Sequence, residues 1–256
     1  MSGSIERRLR IYARESRYEC VKQLRMPTQL LFGLGFPVMF YTVFGLLFSR
    51  GGGASFGLYY IAAYGAFGII SGALYGFGVD VATERAQGWM LLKRASPMPY
   101  EAYFLAKLAR SLLFSLTSIV LLTVVGVVLL GVRVPVLAWG EMTLVLVAGA
   151  APFCALGLAI GYWVGPNAAV AVVNVVNMPM AILSGLWIPF SVLPSFVHRI
   201  AIFMPAYHYG QLALAVVGQG QPESMLGHVL VMAGFMVVSL VLAHAAYRRD
   251  EDKTYG

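Results

Sequence analysis

A chain of 256 residues that is 59% hydrophobic and only 11% charged lies outside the range of soluble domains, which carry about 25% charged residues. Its apolar residues come in runs of about 20, enough to cross roughly 30 Å of hydrocarbon as helices, and the alternating ten-residue segments of a membrane β-barrel are missing. Composition therefore predicts an all-α membrane protein, with a formal charge of +7 that reads as membrane topology and contact with anionic headgroups rather than nucleic-acid binding.

The first 28 residues are basic and lack the apolar core and cleavage site of a signal peptide. The first span is thus expected to stay in place as a signal anchor. Ile5, Leu9, Tyr12, Ala13 and Val21 fall near helical spacing with arginines between them. That pattern predicts a basic amphipathic helix lying along the membrane surface. Cys20 sits in this segment and Cys154 inside a membrane run, so no disulfide is expected.

Six spans follow, near Gln29–Phe48, Gly57–Ala82, Leu105–Leu130, Gly140–Val164, Ala168–Trp187 and Met225–Tyr247. Six spans put both termini on one side. Fifteen of the eighteen lysines and arginines fall on that side, and only Arg50, Arg133 and Arg199 fall on the other. The positive-inside rule makes the rich side cytoplasmic. The organisation expected is 1–28 cytoplasmic helix, 29–247 six-span domain and 248–256 cytoplasmic tail.

Between the second and third spans lies "ERAQGWMLLKRASPMP", Glu84 to Pro99. Thr83 is suited to an N-cap, with Glu84 in the first turn and Lys93 and Arg94 in the last, each sign matching the helix dipole. Ala86, Trp89, Met90 and Lys93 share a face, and Pro97 stops the helix. A capped helix over about 83–96 is predicted. It is either an interfacial helix with Trp89 among headgroups or a docking element for a partner.

Gly68, Gly72 and Gly76 stand four apart in the second span, as do Gly157, Gly161 and Gly165 in the fourth. Small residues so spaced let helices approach closely, within one subunit or at a seam between subunits. Asn174 and Asn177 share a face of the fifth span. Such amides either meet cargo in a wet cavity or bond to a neighbouring helix, and Met178 and Met180 beside them offer adaptable apolar surface or ordinary packing. The segment Ile188–Ser224 is apolar but broken by proline. Its pieces suit a re-entrant hairpin packed on protein, or an interfacial loop.

The order of these features resembles the ABC-2 type permeases, the membrane subunits of ABC exporters of the drug- and antibiotic-resistance kind. The carrying residues are Glu84, Gly88, Leu91, Leu92, Lys93, Arg94, Pro97 and Lys107 in the strip, then Ser184, Gly185, Pro189, Leu193, Pro194, Pro205 and Tyr207 near the other end. The resemblance spans essentially the whole chain and implies a type V exporter-like fold. It makes the strip a coupling helix seated on a cytoplasmic ATPase subunit through Glu84, Arg85, Gly88, Trp89, Met90, Arg94 and Pro97. It makes Ser184, Gly185, Pro189, Leu193, Pro194 and Pro205 part of an outer re-entrant gate. It assigns Asn174, Asn177, Met178 and Met180 to the pathway. It also implies a second permease copy, or a homologous sister, in the cell's inner (plasma) membrane.

No Gly-Lys-Ser/Thr phosphate loop and no Gly-x-Ser-x-Gly elbow are present. The chain is thus not expected to be an enzyme, and ATP with Mg would sit on the partner. The four histidines are scattered without metal-ligand spacing, so no metal or cofactor is expected on this chain. Cargo would be hydrophobic or amphipathic: a drug, antibiotic, lipid or lipid-linked glycan. The alternatives are a secondary carrier without an ATPase, which the near absence of charge inside the spans disfavours, and an intramembrane enzyme using Ser184 and His244.

Overall fold

The computed structural model describes residues 2–25, 31–90, 92 and 99–255. It is helical, with no strand among the described residues. Helix α1 (Ser2–Leu24) precedes a π-helical turn, Leu31–Gly35, and the long helical stretch α2 (Phe36–Leu74). A second π-helical turn, Tyr75–Val79, leads into α3 (Asp80–Ala86). Then come α4 (Tyr100–Leu130), α5 (Val136–Ala148), α6 (Ala151–Trp163) and α7 (Pro166–Leu183). A 3₁₀ turn, Phe190–Val192, and the short helices α8 (Ser195–Ala201) and α9 (Pro205–Val216) connect to α10 (Met225–Tyr255).

Among the described residues, five helical stretches are long and apolar enough to cross a membrane: Gly57–Ala86, Glu101–Leu130, Val136–Trp163, Pro166–Leu183 and Met225–Asp250. Gly33–Leu46 is a shorter apolar helix. It belongs to α2, but α2 is not one rod. Phe40 stacks on Tyr64 at 6.4 Å and Phe44 on Tyr60 at 6.5 Å. Residues so far apart along a straight helix would be separated by about 25–35 Å. The pairing is antiparallel, so the chain doubles back between the two arms of α2. The short arm lies beside the long one as a hairpin.

The core is built where small residues admit close approach. A Cβ added at Gly72 would lie 2.6 Å from Phe114, and one at Gly68 2.8 Å from Ser118 Oγ, both on α4. Gly157 and Gly161 of α6 press on the far end of the same stretch, 3.0 Å from the Ala73 carbonyl and 2.6 Å from that of Phe77. Gly76 makes only ordinary contact with Arg110, and Gly165 meets nothing within 4 Å. The inner arm of α2 is thus the hub, buried along nearly its whole length, with α4 on one side and α6 on the other.

The proline-rich segment has its breaks where proline is tolerated. Pro189 and Pro194 stand immediately before helical turns, and Pro205 opens α9. Each lies where a helix has no internal partner for the missing N–H. The α9 residues Ala206 to Leu214 are all buried, because α9 packs on α2, α5, α7 and α10. Gly185 ends the turn after α7 with φ of +73°, and a Cβ there would strike the Phe190 ring. Ser184 is buried, Pro189 is buried beside it, and Leu193 packs under Phe190 and Tyr207.

Candidate functional site

The strip departs from its sequence-based reading. Helix α3 does not begin at Thr83: the Thr83 hydroxyl donates to the Val79 carbonyl at 2.8 Å, one turn back inside a helix already running. The helical stretch from Gly57 therefore continues through Glu84 and Arg85 to Ala86. The chain then turns at Gln87–Gly88, where Gly88 takes φ of +76°. That left-handed conformation is open to glycine without penalty. It sends Trp89, Met90 and Leu92 into a new helical segment. Trp89 is 45% and Leu92 65% exposed. Arg94 and Pro97 lie outside the described residues.

This geometry turns Glu84 and Arg85 inward. Arg85 grips the Asp250 carboxylate near the end of α10 through Nε and Nη2. Its Nη1 donates to the Gly161 carbonyl at the end of α6 at 2.6 Å, and the guanidinium lies over Tyr162. Glu84 is buried. It accepts from Lys22, from Lys107 Nζ at 3.1 Å and from the Tyr103 hydroxyl at 2.7 Å. One turn away, Asp80 pairs with Arg110. Glu19 of α1 lies 3.7 Å from Lys107 and 3.4 Å from Arg110, and Gln23 accepts from Arg110 Nε. Glu19, Asp80 and Glu84 thus face Lys22, Lys107 and Arg110. Among the described residues, three acids meet three bases in this cluster.

Sequence reasoning counted Lys22 and Arg110 only as markers of sidedness, and Lys107 as that and as part of the resembling motif. The overlooked signal was spacing: Asp80 and Glu84, Lys107 and Arg110, and Glu19 and Gln23 each sit three or four apart, on one helix face. The same contacts fix which face of α1 is buried. Its buried face is the polar one, with Glu19 and Gln23, whereas Leu9, Ala13, Tyr18, Val21 and Leu24 are exposed and Tyr12 is half-buried.

Above the charge cluster lies a cavity of about 410 Å³ between α2, α4 and α7. Arg110 lines it beside Gly76, together with Gln23, and Trp187 lines it beside Phe67. The walls are Phe36, Phe67, Tyr75 and Phe114, with Asn174, Asn177 and Met178 from α7. Both amides are also held by the second span: Tyr75 donates to Asn174 Oδ1 at 2.7 Å and Asn177 Nδ2 donates to Ser71 Oγ at 2.8 Å. Both amides thus line the cavity and bond to a neighbouring helix. Met180 is buried in the core and is not among the lining residues. Trp187, which the sequence did not single out, stacks on Phe40 and meets Phe67 edge-on, both at 5.1 Å. Its position is fixed further by Tyr64, which donates to the Trp187 carbonyl at 3.2 Å, and by Tyr59, which donates to that of Gly185 at 2.6 Å.

An amphiphilic cavity among membrane-long helices, joined by a cluster of paired charges to an exposed aromatic turn, has the build of a transport permease. The chain belongs to the ABC-2 type transporter family, whose model matches residues 15–217. It is 25% identical over 245 residues to the "Putative transport permease YvfS" of Bacillus subtilis (strain 168), covering 95% of this chain and 99% of that protein.

Proposed function

We propose that this chain is the membrane subunit of an ATP-driven exporter, docking on a separate cytoplasmic ATPase and passing a hydrophobic or amphipathic cargo through the cavity. The observation that carries this reading is the exposed turn after Gly88. Trp89 and Leu92 stand out from it, and Met90 packs only partly beneath it against Tyr103 and Tyr162. A large aromatic with apolar neighbours is the usual anchor of a protein interface. Here it rests on Arg85 and Glu84, which are held in ion pairs, so a push on the turn reaches α1, α4 and α10 without passing through a loose loop. The turn is then the coupling element over about 83–96. The segment about 188–224 is an outer re-entrant hairpin, the short arm of α2 is the first of six spans, and both termini are cytoplasmic. A second permease copy or sister completes the pathway, and ATP and Mg belong to the ATPase.

Cargo chemistry follows from the cavity. Four aromatic walls favour an apolar or ring-bearing body, while Asn174, Asn177, Gln23 and Arg110 suit a polar or anionic end. Drugs, lipids and lipid-linked glycans fit that description.

The buried cluster of six charges favours a second reading, a secondary carrier, since ionisable groups at membrane depth often bind coupling ions. Its charges are already paired three against three, which leaves the ATPase reading ahead.

The test is affinity purification of the chain from native membranes in mild detergent, beside a Trp89→Ala/Met90→Ala variant. Glu84 is left intact because its replacement would strike the fold. The expected result is an ABC ATPase that travels with the parent chain and is lost from the variant, while both elute as monodisperse protein. Absence of any ATPase, with uptake in vesicles driven by an ion gradient, would establish the carrier instead.

A further inference from the structure

The cavity between α2, α4 and α7 carries polar groups that the fold itself leaves unmet. Asn177 is 5% exposed. Its Nδ2 donates to Ser71 Oγ, whereas its Oδ1 is buried and has no hydrogen-bond partner among the described residues. Asn174, one turn earlier on α7, is half-buried and engaged at the opposite end of its amide. Its Oδ1 accepts from the Tyr75 hydroxyl, and its Nδ2 has no partner among the described residues. Both side chains line the cavity. One amide thus keeps an acceptor and the other a donor. Trp187, in the same lining, adds a buried Nε1–H that is likewise without a partner among the described residues.

A buried polar group without a partner is costly, and native proteins leave few of them. A ligand that answers both amides must accept from Asn174 and donate to Asn177. Residues three apart on a helix stand about 5–6 Å apart at Cβ, a gap that the oxygen and nitrogen of one carboxamide bridge together. A carboxylate only accepts, so it would turn a lone pair toward Asn177 Oδ1. An ammonium only donates, so it would face the N–H groups of Asn174 and Trp187.

Charge is not called for either. Among the described residues, the one cation in the lining is Arg110, and its guanidinium is engaged by Asp80, Glu19 and Gln23. An anion would compete with two carboxylates already in place, in a cavity whose walls are mostly apolar. Those walls, Phe36, Phe67, Phe114 and Met178, suit a ring-bearing or aliphatic body.

We propose that the cavity binds an uncharged amphiphile through a carboxamide group, its carbonyl accepting from Asn174 and its N–H donating to Asn177, with the apolar body against the phenylalanines. This narrows the cargo of the permease reading above, and rests on that reading only for calling the molecule cargo. Binding itself needs no ATPase.

The test is isothermal titration calorimetry on the full chain in lipid nanodiscs, with empty nanodiscs as the blank. Three probes share one naphthalene ring: naphthylacetamide, methyl naphthylacetate and naphthylacetate. The ester is uncharged but has no N–H to give, and the carboxylate has neither the N–H nor the neutrality. A site built around a donated hydrogen bond rejects the analogue that lacks it. The amide should bind at least about fivefold more tightly than either of the others. Asn177→Leu should abolish the preference for amide over ester. A parallel fall of both neutral probes, with their ratio kept, would show that Asn177 serves only the fold and would overturn the proposal. The ranking in the parent chain needs no variant: equal affinity for amide and ester, or tighter binding of the carboxylate, also overturns it. An ATPase that co-purifies with a chain lacking the amide preference would leave the exporter standing and remove this inference. Amide preference in a chain that recruits no ATPase would do the reverse.

Discussion

At the residue scale the most consequential side chain is Lys107, which is 2% exposed and shared between Glu19 and Glu84. Removing one partner of a buried ion pair strands the other charges, at a cost of about 3–5 kcal/mol. Lys107→Met should therefore lower unfolding stability by that order, measured by thermal unfolding in detergent, and should cost far more than Arg199→Met at an exposed site. Lys22 lies on α1, outside the spans. Burial works against its charge, yet the Glu84 carboxylate outweighs burial and holds the ammonium above its ordinary value. A base whose pKa is raised on folding gives its stabilisation in full at neutral pH and loses it only as pH climbs through the raised value. Alkaline unfolding of the parent chain should accordingly be steeper than that of Lys22→Met.

At the element scale, close helix approach can be tested by pairing two glycines. A Cβ at Gly161 would meet the Phe77 and Gly78 carbonyls at 2.6 and 2.9 Å, whereas one at Gly165 meets nothing within 4 Å. Gly161→Ala should cost about 1–3 kcal/mol by forcing α6 off the second span, and Gly165→Ala should be close to neutral, both read by thermal unfolding. Sequence spacing found both glycines but did not separate them, because the discriminating fact is which one faces the Phe77 turn. Much else at this scale was legible. Hydropathy located the long spans, and the prolines at 189, 194 and 205 marked breaks in the apolar segment Ile188–Ser224, which the structure shows as helix starts. The short arm of α2 and the charge cluster were harder to foresee. Which arginine is a topology marker and which is an internal ion-pair partner depends on what lies across the helix, and Arg110 meets Asp80 only after α4 packs on the hub. Thr83 misled for a related reason: a residue suited to capping also sits comfortably mid-helix when its hydroxyl returns to the carbonyl four residues back.

At the scale of the whole molecule, the strip and the α8–α9 segment stand at opposite ends of α10, which is one helix from Met225 to Tyr255, about 45 Å long. Asp250 near one end takes Arg85, and His228 near the other meets His208. Single cysteines placed at Trp89 and Phe203, in a background lacking Cys20 and Cys154, should react with a membrane-impermeant maleimide from opposite sides of the bilayer. Labelling of both from one side would remove the proposed topology and with it the assignment of the turn to the cytoplasm.

The charge cluster also constrains how the chain is made. Its three acids sit on α1 and α3, in segments synthesised before α4, whereas Lys107 and Arg110 arrive only with α4. A nascent chain that has released its second span but not its third therefore carries Asp80 and Glu84 at the end of a membrane helix, with Lys22 as the sole cation of the later cluster yet available. Acids in that state favour the watery side of the translocation machinery over lipid. Helix α4 is then expected to be what lets the stretch ending at Ala86 settle, the two inserting as a pair rather than one by one.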